Sequence, residues 1–283
     1  MPRRQQATAR QARLGTELRR LREAAGLKAT EAAALLGTTS VQMSQTESGI
    51  AGVSEQRLRR MAANYACVDT ELIDALVAMA TDRTRGWWEE YRGQLPTSFL
   101  DLAELEHHAT YRSDFEFMFI PGLLQTEEYA RAAFASRVPS IPEAELELRV
   151  RHRMQRKTIL NRSTPTPYRA LIHEAALRIR VGDRATARTQ LRQVLELSEA
   201  DHITVQVIPF DLDGFGGTWS PMMLAGGAIP KLDTGTRDAP DGTGLIDSEA
   251  QLDVLRTLFR RVEVASVDAS GSRDIIHALS KEL

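Results

Sequence analysis

The chain lacks most features that mark membrane, secreted or zinc-binding proteins. Its 283 residues include one cysteine, Cys67, so it can form neither an internal disulfide nor a cysteine-based zinc site. The longest nearly apolar run, residues 72–80, contains Asp74, whereas a bilayer-spanning helix needs about 20 apolar residues. No apolar stretch follows the arginines of residues 1–13, as it would in a secretory signal. We therefore expect a cytoplasmic protein with no membrane span, long enough for two domains.

The net charge is small, but the charged residues are unevenly placed. The net charge is −2, which by itself argues against nucleic acid as a partner. Residues 1–65, however, hold 11 Lys+Arg against 5 Asp+Glu, a net charge of +6. The remaining residues hold 25 against 33, a net charge of −8. A small basic block joined to a larger acidic one permits nucleic-acid binding by the first block.

The basic block, residues 1–65, is predicted to be part of a helical domain. Residues 1–12, with Arg3, Arg4 and Arg10, are polar and predict a loose arm. Residues 13–80 then predict five short helices, because apolar residues recur at helical spacing between turn signals. The signals are glycines that end helices and hydroxyl or carboxylate side chains that cap them, namely Gly26, Gly37, Gly49, Thr39, Ser54 and Asp69 or Thr70. Residues 81–86 are polar and predict a linker.

Residues 27–49 predict a helix-turn-helix, in which the second helix enters the DNA major groove. The small Ala32 and Ala33 allow the two helices to approach closely. Gly37 permits the positive φ that the turn needs. Met43 and Thr46 are expected to face inward and to anchor the second helix.

The outward face of that second helix has the chemistry of base recognition. Gln45 can form a bidentate pair with adenine, Ser40 and Ser44 can donate to or accept from a base edge, and Val41 can contact a thymine methyl. Phosphate contacts are expected from Lys28, Thr30, Gln42 and the helix N-terminus. The predicted DNA-binding residues are therefore Lys28, Thr30, Thr39, Ser40, Val41, Gln42, Ser44 and Gln45. The alternative is a helical bundle with no DNA role, which leaves unexplained an exposed face without Lys or Glu.

Residues 14–65 resemble the Xre-type helix-turn-helix of lambdoid phage repressors. The resemblance rests on the helix pattern, the turn glycine, and Glu47 two residues before Gly49. It implies a lambda-repressor-like domain and an ion pair between Arg22, late in the first helix, and Glu47. Ser48 stands where relatives often carry Arg, Asn or Lys.

Residues 87–283 predict a domain of a different kind, with helices and a β-sheet. Helical patterns dominate up to about residue 162. Strand patterns follow at residues 168–173 and 203–210, with a helix at about 186–198 between them and a weaker strand at 221–225. Residues 211–220 and 226–244 are expected to be loops, and 248–264 and 272–283 terminal helices. The whole chain is thus α+β, with a helical N-terminal domain and a mixed C-terminal one.

This second part resembles the C-terminal domain, of unknown function, found in many actinobacterial antitoxin-like Xre-type regulators. The matching stretches are residues 85–91, 120–131, 148–160, 173–178 and 203–210, and the run PGLLQTEEYA is the most distinctive of them. The resemblance implies a regulatory domain that binds a small partner protein or a small-molecule effector. Relatives carry a hydrophobic strand where residues 231–244 are polar here. Candidates for a ligand or partner surface are Trp87, Trp88, Tyr91, Gln125 and Tyr129. For Trp87, Trp88 and Tyr91 the favoured alternative is a packing role, in the core or between domains.

The sequence gives weaker signals for metal and phosphate sites elsewhere in the chain. His173-Glu174 begins a zinc-protease pattern that fails because residue 177 is leucine, so core or helix-capping roles are favoured. His107-His108 lacks further metal ligands nearby in the sequence. Residues 214–217 are glycine-rich but lack the strand and helix that flank a phosphate loop. Cys67 is expected to be a small buried residue at the end of the fourth helix.

The arginines of residues 149–156 leave two alternatives open. They bind an anion or an acidic partner, or they lie on a solvated helix paired with Glu143, Glu145 and Glu147. The second is favoured.

Taken together, the sequence predicts a transcriptional regulator, not an enzyme, since no nucleophile–base pair, metal spacing or phosphate loop is present. It is expected to need no cofactor, to bind double-stranded DNA as a homodimer on a pseudo-palindromic operator, and to associate with the nucleoid when bound. The alternative is an antitoxin-like regulator that acts mainly by binding a small partner protein encoded nearby.

Overall fold

The computed structural model describes residues 7–136, 139–213, 220–239 and 242–283. Contacts divide them into two compact units. One extends to Glu90 and includes Thr97–Leu105, and the other comprises Tyr91–Pro96 and Glu106–Leu283. Arg3 and Arg4, assigned to the predicted arm, and the glycine-rich residues 214–217 lie outside the described residues.

The N-terminal unit contains the five predicted helices in the predicted order. They are α1 (Ala9–Ala24), α2 (Ala29–Leu35), α3 (Ser40–Glu47), α4 (Glu55–Asn64) and α5 (Thr70–Thr81). Thr39, Ser54 and Asp69 cap α3, α4 and α5 by accepting a backbone N–H three residues ahead. Gly26, Gly37 and Gly49 all have positive φ. The local stop and start signals therefore fix these helices.

The predicted loose arm is shorter than expected, because α1 already begins at Ala9. Thr8 and Gln11 form a capping box, with the Thr8 Oγ1 accepting from the Gln11 N–H at 3.3 Å. The Ala9 N–H donates to the Asp101 carboxylate at 2.9 Å. Arg10, expected to be in the arm, pairs with Asp82 at 3.6 Å and is less than a quarter exposed.

The N-terminal unit also includes a short 3-10 turn at Trp87–Tyr91 and most of α6 (Thr97–His108). Gly86 lies directly beneath the Trp88 ring, where a Cβ would be 2.0 Å from the nearest ring carbon. The boundary between the units therefore lies a few residues beyond the predicted linker, residues 81–86.

The C-terminal unit alternates helices with strands. It contains β1 (Arg112–Glu116), α7 (Glu127–Ala135), α8 (Glu143–Arg156), α9 (Thr158–Asn161), β2 (Tyr168–His173), α10 (Glu174–Arg178), α11 (Arg184–Leu197), β3 (Ile203–Ile208), β4 (Met222–Ala225), β5 (Thr234–Ala239), β6 (Gly242–Ile246), α12 (Glu249–Ala265) and α13 (Ala269–Glu282). Short 3-10 turns lie at Gly122–Leu124 and Pro230–Leu232.

The six strands form one sheet in the order β3-β2-β1-β4-β5-β6. The first three are parallel, with Arg112 beside Tyr168 and Tyr168 beside Ile203. β4, β5 and β6 continue the sheet in antiparallel fashion. The predicted α+β class is confirmed.

Helices cover both faces of this sheet. One face carries a core in which Ala170, Val205 and Leu191 pack with Ile276 of α13. The other face packs Phe115, Leu171 and Leu224 against Leu252, Leu255 and Phe259 of α12. The alternation of buried residues along β2 and β3 supplies both cores, as the pleat requires.

Three strands were not predicted. β1 lies in a region expected to be helical, and β5 and the first part of β6 lie in residues 226–244, expected to be a loop. β5 and β6 are rich in glycine and threonine and lack an apolar alternation, so their pattern gives no strand signal. Gly235 shows the tertiary reason for this composition, because a Cβ there would be 2.2 Å from the Leu255 side chain of α12.

Within the described ranges, no helix is both long enough and apolar enough to cross a bilayer.

Candidate DNA-binding surface

The turn between α2 and α3 is built by local hydrogen bonds. Gly37 provides the positive φ, at 63°. The Thr39 Oγ1 accepts from the Gln42 N–H at 3.1 Å, and the Gln42 amide oxygen accepts from the Thr39 N–H at 3.4 Å. The hydroxyl of Thr38 also donates to that amide oxygen. Gln42, predicted to contact phosphate, therefore uses its side-chain oxygen to cap its own helix.

The inward face of α3 is anchored as the sequence predicted. Met43 is completely buried and Thr46 nearly so. The Tyr65 hydroxyl lies 3.9 Å from the Met43 sulfur, and the Thr46 hydroxyl donates to the Gln42 carbonyl. These contacts fix which side of α3 faces solvent.

The outward face of α3 consists of uncharged side chains. Ser40, Ser44 and Gln45 are exposed, and Val41 is 64% exposed. All four lie opposite Met43, as their i, i+1, i+4, i+5 spacing requires. Lys28 and Thr30, at the start of α2, are exposed as well. The structure thus leaves accessible the side chains that were predicted to read base edges.

The end of α3 is tied to α1 by an ion pair. The Arg22 Nε and Nη2 donate to the two Glu47 carboxylate oxygens at 2.6 and 2.9 Å, and its Nη1 donates to the Leu27 carbonyl at 2.7 Å. Both side chains are only 8% exposed. The hydrogen bond that Arg22 donates to Glu47 raises the pKa of Arg22, so its guanidinium stays charged. The predicted pairing is present and fixes the angle of α3.

Close backbone contact at two glycines completes this attachment. A Cβ on Gly15 would be 2.5 Å from the Glu47 carbonyl oxygen, and one on Gly49 would be 2.5 Å from the Gln11 backbone. The role of Gly15 was not predicted. The available signal was an isolated glycine inside an amphipathic helix, which often marks a close packing contact.

Two arginines of α4 lie beside the turn and were also not predicted. The Arg57 Nη2 donates to the Thr38 hydroxyl at 3.3 Å, and the Arg60 Nη2 donates to the Leu35 carbonyl at 3.1 Å. Both side chains therefore bring positive charge close to the N-terminus of α3. They lie 19 and 25 residues along the chain from these partners, so no local pattern indicated the proximity.

The predicted ligand or partner surface in the second part of the chain is not a surface. Trp88, Tyr91, Gln125 and Tyr129 are each at most 3% exposed, and Trp87 is partly buried. The Tyr129 hydroxyl accepts from the Ile120 N–H, while Gln125 donates to the Ile120 carbonyl and accepts from Arg153. Packing was the favoured role for Trp88 and Tyr91, and it is what the structure shows.

The arginine helix α8 is not the solvated helix that was expected. Arg149 pairs with Glu145 as predicted but is buried, and Glu147 pairs instead with Arg131 of α7. Arg156 is also buried and donates to both Glu106 oxygens at 2.7 and 2.6 Å. Burial lowers the pKa of Arg156. Its partner lies 50 residues away, so no helical spacing could predict it.

Glu106 and Arg156 belong to a larger buried network. Arg112 pairs with Glu106 and with Asp114, and the Tyr168 hydroxyl donates to Asp114 at 2.6 Å. Burial raises the pKa of Tyr168, which therefore remains a hydrogen-bond donor. Two arginines and two carboxylates balance one another, so the network joins β1, β2 and α8 without a net buried charge.

The remaining predicted positions have structural roles. His173 caps α10, its Nδ1 accepting from the Ala175 N–H at 3.1 Å, in agreement with the capping role that was favoured. The His107 and His108 rings contact each other edge to face. Cys67 follows the end of α4 and is partly exposed, where full burial was expected. In the part of the chain that the structure describes, no group of three or more His, Cys, Asp or Glu is arranged to hold a metal ion.

Comparison with protein families divides the chain as the fold does. A model of a helix-turn-helix domain matches residues 13–76, which hold most of α1, all of α2 to α4 and part of α5. A model of a domain of unknown function, DUF5753, matches residues 99–278, more than half of the chain. Comparison with curated proteins and with solved structures gives no match. The predicted pairing of an Xre-like helix-turn-helix with a C-terminal domain of unknown function is confirmed, and the chain belongs to the DUF5753 family.

Proposed function

We propose that this chain is a sequence-specific DNA-binding regulator of transcription. The outward face of α3 is the observation that carries the proposal. It presents Ser40, Val41, Ser44 and Gln45 on a helix whose opposite side is fixed by Met43.

The chemistry of this face suits base edges better than phosphates. A glutamine amide matches the acceptor and donor of adenine, hydroxyls pair with any edge, and valine packs on a thymine methyl. The side chains are short, so the backbone of α3 can approach the groove closely. Positive charge lies beside the turn that leads into α3, at Arg57 and Arg60, where it can meet the phosphates that flank a groove.

We further propose that the protein acts as a homodimer on a pseudo-palindromic operator. A recognition helix of eight residues contacts few base pairs, too few for tight specific binding. Two copies related by a two-fold axis place their helices about 34 Å apart, one turn of the duplex. The operator then repeats the same half-site in inverted orientation.

The C-terminal unit is proposed to regulate DNA affinity by binding an effector or a partner. An antitoxin-like role, in which the chain acts mainly by binding a small protein encoded nearby, is the alternative. The resemblance of residues 85–283 to antitoxin-like regulators supports it. Capture of the neighbouring gene's product by the full chain would favour this role, and no binding would favour a small-molecule effector. Either role places the protein in the cytoplasm, on the nucleoid when bound to DNA.

The first test is selection of bound sequences from random duplex DNA, with the full chain and with Gln45→Ala and Ser40→Ala. Each variant is expected to lose preference at one base step, about 1–3 kcal/mol, while binding other positions as before. Affinity is expected to fall steeply with salt. Gln251→Ala, which removes an exposed glutamine of α12, is the matched control and should keep the full preference.

Two outcomes would contradict the proposal. One is wild-type base preference in both α3 variants, and the other is binding that does not respond to salt.

A further inference from the structure

α3 carries one exposed apolar side chain among polar ones. Of its two large apolar residues, Met43 is completely buried, whereas Val41, two positions earlier, is 64% exposed. Successive helical residues are about 100° apart, so Val41 lies on the side away from the core. A valine exposed in this way favours neither the core nor the helix, because β-branched residues have a lower helix propensity than alanine. The fold therefore gives no reason for a valine at this position.

The direction in which Val41 projects is fixed by the anchoring of α3. The reciprocal hydrogen bonds of Thr39 and Gln42 hold the start of the helix, and the ion pair of Glu47 with Arg22 holds its end. Valine in a helix strongly prefers one rotamer, so its two methyl groups have little conformational entropy left to lose. A contact with these methyl groups therefore needs no rearrangement of the protein.

The groups around Val41 indicate what kind of surface it meets. Ser40 precedes it, and Ser44 and Gln45 lie one turn further along the same face, all of them exposed. A protein partner is usually met by a wider apolar patch. The major groove instead presents the methyl group of thymine among hydrogen-bonding base edges. A small apolar spot surrounded by hydroxyl and amide groups matches that pattern.

These polar neighbours do not distinguish thymine from a methylated cytosine. Thymine presents the O4 acceptor in the major groove and cytosine the N4 amino donor, while a methyl group on C5 occupies the same place on either base. The hydroxyl of Ser44 and the amide of Gln45 can each donate or accept, so they can pair with either group. Glu would accept only from cytosine, and Lys would donate only to thymine. The outward face of α3 carries neither of these residues.

We propose that Val41 reads the C5 methyl group of a pyrimidine, so that this protein accepts thymine or 5-methylcytosine at one step of its half-site and disfavours unmethylated cytosine there. This inference rests on the proposed DNA-binding function and adds a form of regulation to it. Methylation of a cytosine at that step supplies the methyl group that Val41 contacts. Binding then increases with the methylation of the DNA itself.

The decisive experiment uses the duplex that the full chain selects from random DNA. Each conserved thymine of one half-site is replaced in turn by deoxyuridine, which lacks the methyl group and keeps every hydrogen-bonding group of the base. At one of these positions the replacement is expected to weaken binding by the wild type about fourfold, the factor that corresponds to about 0.8 kcal/mol for one methyl group buried. Fluorescence anisotropy of the labelled duplex measures the change.

The Val41→Ala variant shows whether Val41 is the residue that senses this methyl group. The variant should bind the thymine and deoxyuridine duplexes equally, and its circular dichroism should be unchanged, because an exposed helical valine is not needed for folding. Val68→Ala is the matched control. Val68 is 91% exposed between α4 and α5, and its truncation should leave the difference between the two duplexes intact.

Cytosine at the same step tests the response to methylation. A C·G pair there should weaken binding by the wild type, and 5-methylcytosine in its place should strengthen binding again by about fourfold relative to cytosine. Val41→Ala should bind the cytosine and 5-methylcytosine duplexes equally. The comparison changes a single methyl group, so the charge and the base pairing of the duplex stay the same.

Four results would overturn this inference. They are a selected half-site without a conserved thymine, wild-type binding that no deoxyuridine replacement weakens, a deoxyuridine response that Val41→Ala retains, and a 5-methylcytosine duplex that is bound no better than its cytosine counterpart. Each of them leaves the proposed function standing, since the chain still selects a DNA sequence. A chain that selects no sequence at all contradicts both.

Discussion

Two polar helices, α3 in the N-terminal unit and α8 in the C-terminal unit, use their polar residues in opposite ways. α3 exposes uncharged side chains such as Gln45, while α8 buries charged ones such as Arg149 and Arg156. An exposed uncharged donor is available to an outside partner. A buried guanidinium is stable only when its partner is inside the protein. Polarity therefore indicates function in α3 and indicates folding in α8, and only burial distinguishes the two.

The largest expected effect comes from breaking the buried network of the C-terminal unit. Glu106→Gln removes the carboxylate that Arg112 and Arg156 share, and leaves two buried guanidinium groups without it. The free energy of unfolding should fall by about 3–5 kcal/mol, measured by urea denaturation. Arg156→Met should lower the free energy of unfolding by less, because Glu106 still pairs with Arg112 in that variant. Equal stability of Glu106→Gln and the wild type would mean that the network does not hold β1 and α8 together.

The next largest effect tests how closely α1 approaches α3. Gly15→Ala places a Cβ 2.5 Å from the Glu47 carbonyl, a backbone atom that cannot move without shifting α3. We expect a loss of about 1–3 kcal/mol in the free energy of unfolding, together with weaker DNA binding. Gly37→Ala is the comparison, because nothing lies within 4 Å of its Cβ and only its positive φ is unfavourable. Gly37→Ala should lower the free energy of unfolding by about 1 kcal/mol. A larger loss for Gly37→Ala than for Gly15→Ala would show that backbone conformation matters more here than packing.

The smallest expected effect is a gain in stability at the end of α4. Ala66 has a φ of 52°, a left-handed conformation that a residue with a Cβ adopts at a cost. Its position after α4, with the Cys67 N–H bonded to the Ala62 carbonyl, is one where glycine is preferred. Ala66→Gly is expected to raise the free energy of unfolding by about 0.5–1 kcal/mol, less the extra flexibility of the unfolded chain. A lower melting temperature in calorimetry would contradict this.

The N-terminal unit was predictable because its determinants are local. Thr39, Ser54 and Asp69 each cap a helix by accepting from the backbone N–H three positions ahead. Gly37 supplies the positive φ that its own turn needs. The inward position of Met43 follows from helical periodicity alone. Even the long-range contact between Arg22 and Glu47 was found, through a family resemblance and not through spacing.

The C-terminal unit was predicted in outline but not in its sites. β2, β3 and α11 follow from pattern, and β4 from a weak one. β5 and β6 do not, because a strand that packs glycine against Leu255 carries no apolar alternation. The candidate surface at Trp88 and Tyr129 is buried, and the sequence could favour packing for Trp88 without deciding it. Large aromatic residues suit a core and a binding surface equally well, and sequence contains no measure of burial.

The sequence by itself determined where the first five helices begin and end and which side of α3 faces outward, since hydrogen bonds and periodicities spanning three or four residues decide both. Only the tertiary structure decided that Glu106 would pair with Arg156, that Gly15 would lie against Glu47, and that β6 would follow β5 in the sheet. Each of these depends on segments tens of residues apart meeting in space. Their pairing is set by the packing of the whole core, which no short stretch of sequence contains.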